Sequence, residues 1–250
     1  MDFSILLTWD GLMYLLILSL LEIVLGIDNI IFISIVTDKL PKSEQRLARN
    51  VGLVLALIVR LLLLTVVAWI MGMTATLFTV FQVPISGQSL VLLLGGLFLI
   101  YKSTVEMHNS VSGKEEHIKS GKVSLKSIIM QIVLIDIVFS FDSIISAIGM
   151  TNGLEKSTGH SPMVIIYIAV IISMIIMLLF VKQISEFINN RPTIKMIALG
   201  FLVTIGVILV AEAFGQHLPK GYIYFAMVYS LLVEFLNIRM RKNAKEKLND

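Results

Sequence analysis

The sequence predicts an all-α polytopic membrane protein with seven transmembrane helices, arranged as a 3+3 inverted repeat followed by one C-terminal helix. Its 250 residues are 57% hydrophobic and only 15% charged, whereas about a quarter of the residues in a soluble domain are charged. Apolar runs long enough to cross a bilayer recur along the whole chain. An acidic motif inside the first run returns inside the fourth, which predicts the repeat.

Each predicted span is an apolar run close to the ~20 residues that a helix needs to cross the hydrocarbon core. The prolines lie between these runs or at their starts, where proline does least damage to a helix. The predicted spans are 11–36, 47–71, 87–107, 124–150, 162–181, 193–212 and 220–239.

The basic residues predict the orientation in the membrane. Cytoplasmic loops carry the excess of Lys and Arg, and here these residues fall in or beside alternate connections and in the C-terminal tail. The exceptions are Arg60, Lys156 and Lys220. We therefore expect the N-terminus outside and the C-terminus inside, in the plasma membrane (the inner membrane of a bacterium), with the lipid bilayer as the main partner.

The repeated motif is an acid, Ile, Val, a large apolar residue, a small residue, a large apolar residue, Asp, a polar residue and two Ile. Chance matches of Ile and Val are common in so apolar a chain, but matches of two acids, a small residue and a polar follower are not. The matched positions are Glu22 with Asp136, Gly26 with Ser140, Asp28 with Asp142, and Asn29 with Ser143.

Three crossings separate the two motifs, so the copies are predicted to enter the membrane from opposite sides, as in inverted-repeat transporters. The expected divisions of this single membrane domain are a first repeat at 1–107 and a cytoplasmic linker at 108–123. A second repeat at 124–218 and a seventh helix with a basic tail at 219–250 complete it.

Carboxylates near the bilayer centre cost roughly 2.5–3.5 kcal/mol each on insertion scales, so a chain keeps them when they pair, face a cavity or hold an ion. Arg60, inside the second span, is the expected counter-ion. The polar and acidic residues of the motif are the expected metal ligands. They are Glu22, Asp28, Asn29, Asp136, Asp142 and Ser143.

The geometry of the motif leads to two further expectations. Gly26 and Ser140 each precede an Asp by two residues, and we expect a helix break there that turns the second acid and frees backbone carbonyls. Because the copies are antiparallel, we expect Glu22 level with Asp142, and Asp28 level with Asp136.

The donor set indicates which cargo to expect. Carboxylate, amide, hydroxyl and carbonyl oxygens suit Mg²⁺, Ca²⁺ and Mn²⁺, the chain has no Cys, and its four His lie in loops or at span ends. Crowded carboxylates in a low dielectric retain protons, so cation binding is expected to release them. We expect a transporter, neither an enzyme nor a protein with a resident cofactor.

Other interpretations of these residues remain open at this point. The acids and Arg60 also fit a purely structural network, the acids also fit a transporter of another cationic solute such as a basic amino acid, and the chain also fits a non-transporting membrane scaffold. A net charge of +3 gives no reason to expect a nucleic-acid partner. A homo-oligomer remains an option.

The paired motifs resemble the signature of the TerC family of integral membrane proteins, which is named for tellurite resistance. Segments 218–227 and 233–237 resemble one subgroup, some members of which carry cytoplasmic CBS and transporter-associated domains; the chain ends at Asp250, so we expect none of these here. The resemblance implies a multi-pass plasma-membrane protein, and relatives linked to metal ion efflux make export of Mn²⁺ the expectation.

Overall fold

The computed structural model describes residues 4–66, 76–80, 83–112, 124–158, 162–216, 218–219 and 221–249. Seven helices in these ranges are long and apolar enough to cross a membrane, which confirms the predicted class. A short 3₁₀ helix, Ser4–Leu7, precedes them. The helices are α1 Trp9–Thr37, α2 Lys42–Thr65, α3 Gly87–Val111, α4 Leu125–Thr158, α5 Met163–Asn189, α6 Pro192–Ala213 and α7 Gly221–Asn249.

Local sequence explains where several helices begin. Thr8 caps α1, since its side chain accepts a hydrogen bond from the Gly11 backbone N–H. Ser86 and Ser89 form a reciprocal capping box at the start of α3. Pro192 occupies the first position of α6, where the missing N–H costs nothing.

Two features of the first repeat differ from the sequence prediction. Helix α2 ends at Thr65, before the predicted limit of 71, and the residues after 66 lie outside the described ranges until 76. The uncharged connection that follows contains an antiparallel hairpin of β1 (Thr76–Val80) and β2 (Val83–Ser86). Its β-branched and aromatic residues favour strands, but so short an apolar run is ambiguous in sequence.

Helices from one predicted repeat pack mainly against helices of the other. Helix α1 packs on α5, α2 on α4, and α3 on α6, whereas α7 lies against α6. If α1 corresponds to α4 and α2 to α5, the first two contacts are equivalent, as an inverted repeat requires. Helix α3 extends to Val111, so the predicted linker begins within a helix, and most of the remainder of the linker lies outside the described residues.

The contact between α3 and α6 depends on two glycines that face each other. A Cβ built on Gly96 would lie 2.6 Å from the Gly206 carbonyl oxygen, and one on Gly206 would lie 2.8 Å from the Gly96 oxygen. Only glycine permits the two backbones to approach this closely, which is a common device for packing helices in membranes.

The predicted helix breaks at Gly26 and Ser140 are wrong, because α1 and α4 continue as helices through both positions. Gly26 serves helix packing instead, and Ser140 serves as a hydrogen-bonding residue. A Cβ on Gly26 would lie 2.3 Å from the Met177 sulfur, so glycine makes room for α5. Ser140 is fully buried and uses its hydroxyl to bind two side chains described below.

Candidate cation site

Arg60 lies at the centre of a buried polar cluster between α1, α2 and α4. Its Nη1 donates to Glu22 Oε2 at 3.0 Å and its Nη2 donates to Asp136 Oδ1 at 2.9 Å. Its Nε donates to Ser140 Oγ at 2.9 Å, and that hydroxyl donates to Asp136 Oδ2 at 3.1 Å. All four side chains are nearly inaccessible to solvent. Glu22 and Asp136, which we call the Arg60-bound pair, therefore have their counter-ion, as the sequence predicted.

Asn29 joins this cluster through its amide nitrogen, which donates to Asp136 Oδ1 at 3.0 Å. Its amide oxygen is buried and accepts no hydrogen bond from the described residues. An acceptor left in this way costs about 1–3 kcal/mol in a protein interior. A hard cation is one partner that would satisfy such an oxygen.

The other two acids of the motif line a separate small cavity. Asp28 and Asp142, which we call the cavity pair, lie on α1 and α4 at a space of about 30 Å³. Asp28 is buried and Asp142 is half-buried. A cavity needs roughly 10–15 Å³ of such volume to admit one water molecule, so this space suits a small ion or one or two waters.

Helix α7 contributes a polar group to this cavity. The Tyr224 hydroxyl donates to Asp28 Oδ2 at 3.3 Å. The rest of the lining is apolar and comes from α1, α4, α6 and α7: Leu25, Phe139, Ile205, Ile208, Leu209 and Ile223. The cavity pair therefore lies in a low-dielectric environment, where electrostatic attraction for a cation is strong.

The structure groups the four acids of the motifs as two pairs, whereas the expectation that Glu22 lies level with Asp142, and Asp28 with Asp136, stays a prediction. Residues at equivalent positions of the two motifs share surroundings, Glu22 with Asp136 at Arg60, and Asp28 with Asp142 at the cavity. No group of three or more His, Asp and Glu suited to hold a metal occurs within the described ranges. Continuous helices explain this arrangement, because acids six residues apart lie about 240° apart around a helix.

The motif alone did not reveal the hydrogen-bond partner of Ser143 or the contribution of Tyr224 to the cavity. The Ser143 hydroxyl donates to the Ser140 backbone oxygen at 3.3 Å, so it binds its own helix in this structure. Tyr224 was absent from the sequence prediction because nothing in the motif points to span seven. A tyrosine inside an apolar span is the signal that was available, since a buried hydroxyl needs a hydrogen-bond partner.

The sequence comparison decides the family. The family model described as "Integral membrane protein TerC family" matches residues 7–249. The chain belongs to the TerC family. This confirms the resemblance read from the paired motifs.

Several curated relatives are similar over almost the whole chain. A UPF0053 protein of Haemophilus influenzae is 48% identical over 230 residues, which cover 91% of this chain and 93% of the relative. The UPF0053 inner membrane protein YgdQ of Escherichia coli K12 is 47% identical over 227 residues, 90% of this chain and 92% of the relative. The UPF0053 inner membrane protein YoaE of the same strain is 44% identical over 237 residues, 94% of this chain but 43% of that longer protein.

No solved structure matches the chain. The inner-membrane relatives and the seven candidate spans within the described residues identify it as a multi-pass inner-membrane protein.

Proposed function

We propose that this protein is a transporter that exports a divalent metal cation, with Mn²⁺ as the expected cargo, and that the cavity pair is its binding site. One observation carries the proposal. Asp28 and Asp142, from equivalent positions of the two motifs, line one small cavity within the apolar spans, while the neighbouring acids are bound to Arg60.

The charges support a dication at the cavity pair. Two ionised carboxylates carry −2, which is the charge that one divalent ion neutralises. The carboxylate oxygens of the pair are hard donors, which suit a hard dication. Small hard cations keep part of their water shell, so waters would supply further ligands beside the two carboxylates once the lining moves to admit them.

Exchange against protons follows from the same electrostatics. When the dication leaves, protons are the other cations that can neutralise the two carboxylates, and we propose that they replace it. Cation binding then releases protons. Titration of lightly buffered protein with MnCl₂ would show acidification in the parent chain and a reduced release in Asp28→Asn.

Size argues against the alternative of an organic cation. A cavity of about 30 Å³ does not admit a basic amino acid without rearrangement of its lining. The scaffold alternative predicts no transport at all. A transport assay therefore separates the three functions.

The assay uses purified protein in proteoliposomes with Mn²⁺, Mg²⁺, Ca²⁺ and lysine in parallel. We expect flux of Mn²⁺ above protein-free liposomes, competition by other hard cations according to their fit, and no flux of lysine. The double variant Asp28→Asn with Asp142→Asn should be inactive, and Glu186→Gln, on the exposed end of α5, should keep the parent activity. Lysine flux would support the organic-cation alternative, and no flux of any solute would support the scaffold.

A further inference from the structure

A second, larger cavity lies at the ends of the helices that the charge pattern places on the cytoplasmic side. Its volume is about 430 Å³, and α1, α3, α4 and α6 line it. Polar and charged side chains make up about half of the lining: Lys39, Lys102, Ser103, Glu106, Ser124, Ser127 and Gln131. A space of this size and polarity holds many water molecules.

The two cavities lie one after the other along the same three helices. On α1 the larger cavity begins at Phe32, one helical turn beyond Asp28 of the smaller cavity. On α6 it ends at Leu202, about 4.5 Å of helix rise before Ile205 of the smaller cavity. Helix α4 shows the same order, from Ser124–Gln131 at the larger cavity to Phe139 and Asp142 at the smaller.

The Asn29–Asp136 hydrogen bond lies between the two cavities in sequence order on both helices. Asn29 is between Asp28 and Phe32 on α1, and Asp136 is between Gln131 and Phe139 on α4. Their bond of 3.0 Å joins α1 to α4 between the stretches that line the two cavities. Arg60 of α2 also donates a hydrogen bond to Asp136, so a third helix helps to hold Asp136 in this position.

We propose that the larger cavity, here called the entry chamber, is the water-filled route between the cytoplasm and the cavity pair, and that the Asn29–Asp136 contact is the barrier between them. The identity of the cargo rests on the proposed function; the existence of a hydrated route does not. Alternating access would then require α1 and α4 to separate at this contact.

Ion pairs near the chamber explain how a cation passes several lysines. Lys39 Nζ lies 2.6 Å from Glu106 Oε2, and Lys195 Nζ lies 2.9 Å from Asp38 Oδ2 and 4.0 Å from Glu106 Oε1. Glu106 is the acid among the chamber's lining residues, and it counters two lysines at once. Without its charge, the lysines would repel a dication that enters.

Thiol labelling tests whether the chamber contains water, and the absence of native Cys makes single substitutions clean. Ser103→Cys and Gln131→Cys place a thiol at the chamber, while Val105→Cys and Leu134→Cys place one on the exposed faces of the same helices. A thiol must ionise to react with a charged, membrane-impermeant methanethiosulfonate, so it reacts only in water. Each variant is labelled in inside-out and right-side-out vesicles.

We expect both chamber variants to be labelled in inside-out vesicles only, and both control variants to remain unlabelled in either preparation. Failure of both chamber variants to react, reaction equal to the controls, or reaction only from the outer face would each overturn the proposal. If Ser103→Cys does not insert, Gln131→Cys alone carries the test, because its helix position is less buried.

Transport by Glu106→Gln tests whether the cation uses this water. At low ionic strength and subsaturating Mn²⁺ we expect about a fivefold slower flux, because one countercharge near a dication is lost, and less effect at high salt. Glu186→Gln removes a charge from an exposed α5 pair on the same predicted side and should not change the flux. Unchanged flux in Glu106→Gln would contradict the route.

These outcomes are separable from the proposed function. Equilibrium binding of Mn²⁺ to detergent-solubilised Glu106→Gln should equal that of the parent, because the cavity pair is intact. Labelling of the chamber without Mn²⁺ binding to the parent chain would retain the hydrated route and reject the metal cargo.

Discussion

The Arg60-bound pair and the cavity pair come from the same repeated motif, yet their surroundings differ. Between them, the carboxylates of Glu22 and Asp136 accept hydrogen bonds from the Arg60 guanidinium, the Ser140 hydroxyl and the Asn29 amide. Asp28 and Asp142 face a small cavity with a single tyrosine from α7 among its polar groups. An almost symmetrical sequence therefore contains one acid pair that joins three helices through Arg60 and one for which we propose cation binding.

The two copies of the motif also differ from each other, at their small residue. In the second copy Ser140 offers Arg60 of α2 an acceptor, which completes the contact between α2 and α4. In the first copy Gly26 admits Met177 of α5 at the equivalent contact between α1 and α5. The α2–α4 interface therefore places a positive charge beside Glu22 and Asp136. The α1–α5 interface contains the thioether of Met177, which carries no charge and contributes packing.

Asp28→Asn and Asp142→Asn give the largest expected effect, a loss of transport in either variant. Asn keeps the size and most hydrogen bonding of Asp but removes the charge that a dication requires. Because a buried charge is removed, folding stability should hold or rise. Mn²⁺ sensitivity and Mn²⁺ content of cells are measured beside the membrane abundance of each variant, and normal efflux at normal abundance in either one would remove that Asp from the site.

Arg60→Ala should chiefly affect folding. It leaves two buried carboxylates without their counter-ion, and loss of one partner of a buried ion pair typically costs about 3–5 kcal/mol. Abundance and thermal unfolding in detergent report the loss. Adding Glu22→Gln and Asp136→Asn should restore folded protein, because no orphaned charge remains. An Arg60→Ala protein that folds and transports like the parent would contradict the comparison.

Ser140→Ala should have a moderate effect on stability and a small one on cation binding. It removes the acceptor of Arg60 Nε and a donor to Asp136, which leaves buried groups unsatisfied at about 1–3 kcal/mol. Thermal unfolding measures the change. Ala at the neighbouring Ser143, whose hydroxyl bonds only its own helix backbone, is the matched control and should cost less. An equal loss of thermal stability in the two variants would show that the hydrogen bonds of Ser140 do not stabilise the cluster.

Tyr224→Phe should have the smallest effect, a loss of Mn²⁺ affinity of up to about tenfold with little change in stability. It removes one hydrogen bond that orients Asp28, and such a bond contributes about 0.5–1.5 kcal/mol. Tyr222→Phe alters an exposed tyrosine of the same helix and should bind like the parent. If the two variants bind Mn²⁺ equally, α7 does not contribute to the site.

The elements predicted correctly from sequence depend on local or compositional signals. Span lengths followed from apolar runs, and Arg60 was the charge inside a span that the acids needed. The role of Gly26 was not predictable in this way, because a glycine within a helix indicates either a break or a close approach. Here it is a close approach, because Met177 of α5, which is distant in sequence, occupies the space that a side chain at position 26 would need.

The division of the acids into two pairs could not be predicted for a similar reason. It depends on how α1 and α4 turn their faces toward α2, α6 and α7, and the motif specifies only its own spacing. Tyr224 illustrates the point, since it reaches Asp28 through the packing of α7, a helix without a counterpart in the predicted repeats.

Equilibrium binding of Mn²⁺ to the purified protein tests most directly whether the cavity pair, rather than the Arg60-bound pair, holds the cation. The comparison uses the parent chain, Asp28→Asn, Asp142→Asn and Glu22→Gln, all confirmed as folded. We expect a loss of affinity of at least about 100-fold in each Asp variant, since a charged ligand is removed, and a change within about tenfold in Glu22→Gln. A loss in Glu22→Gln equal to that in Asp28→Asn, or parent-like binding in both Asp variants, would contradict the account.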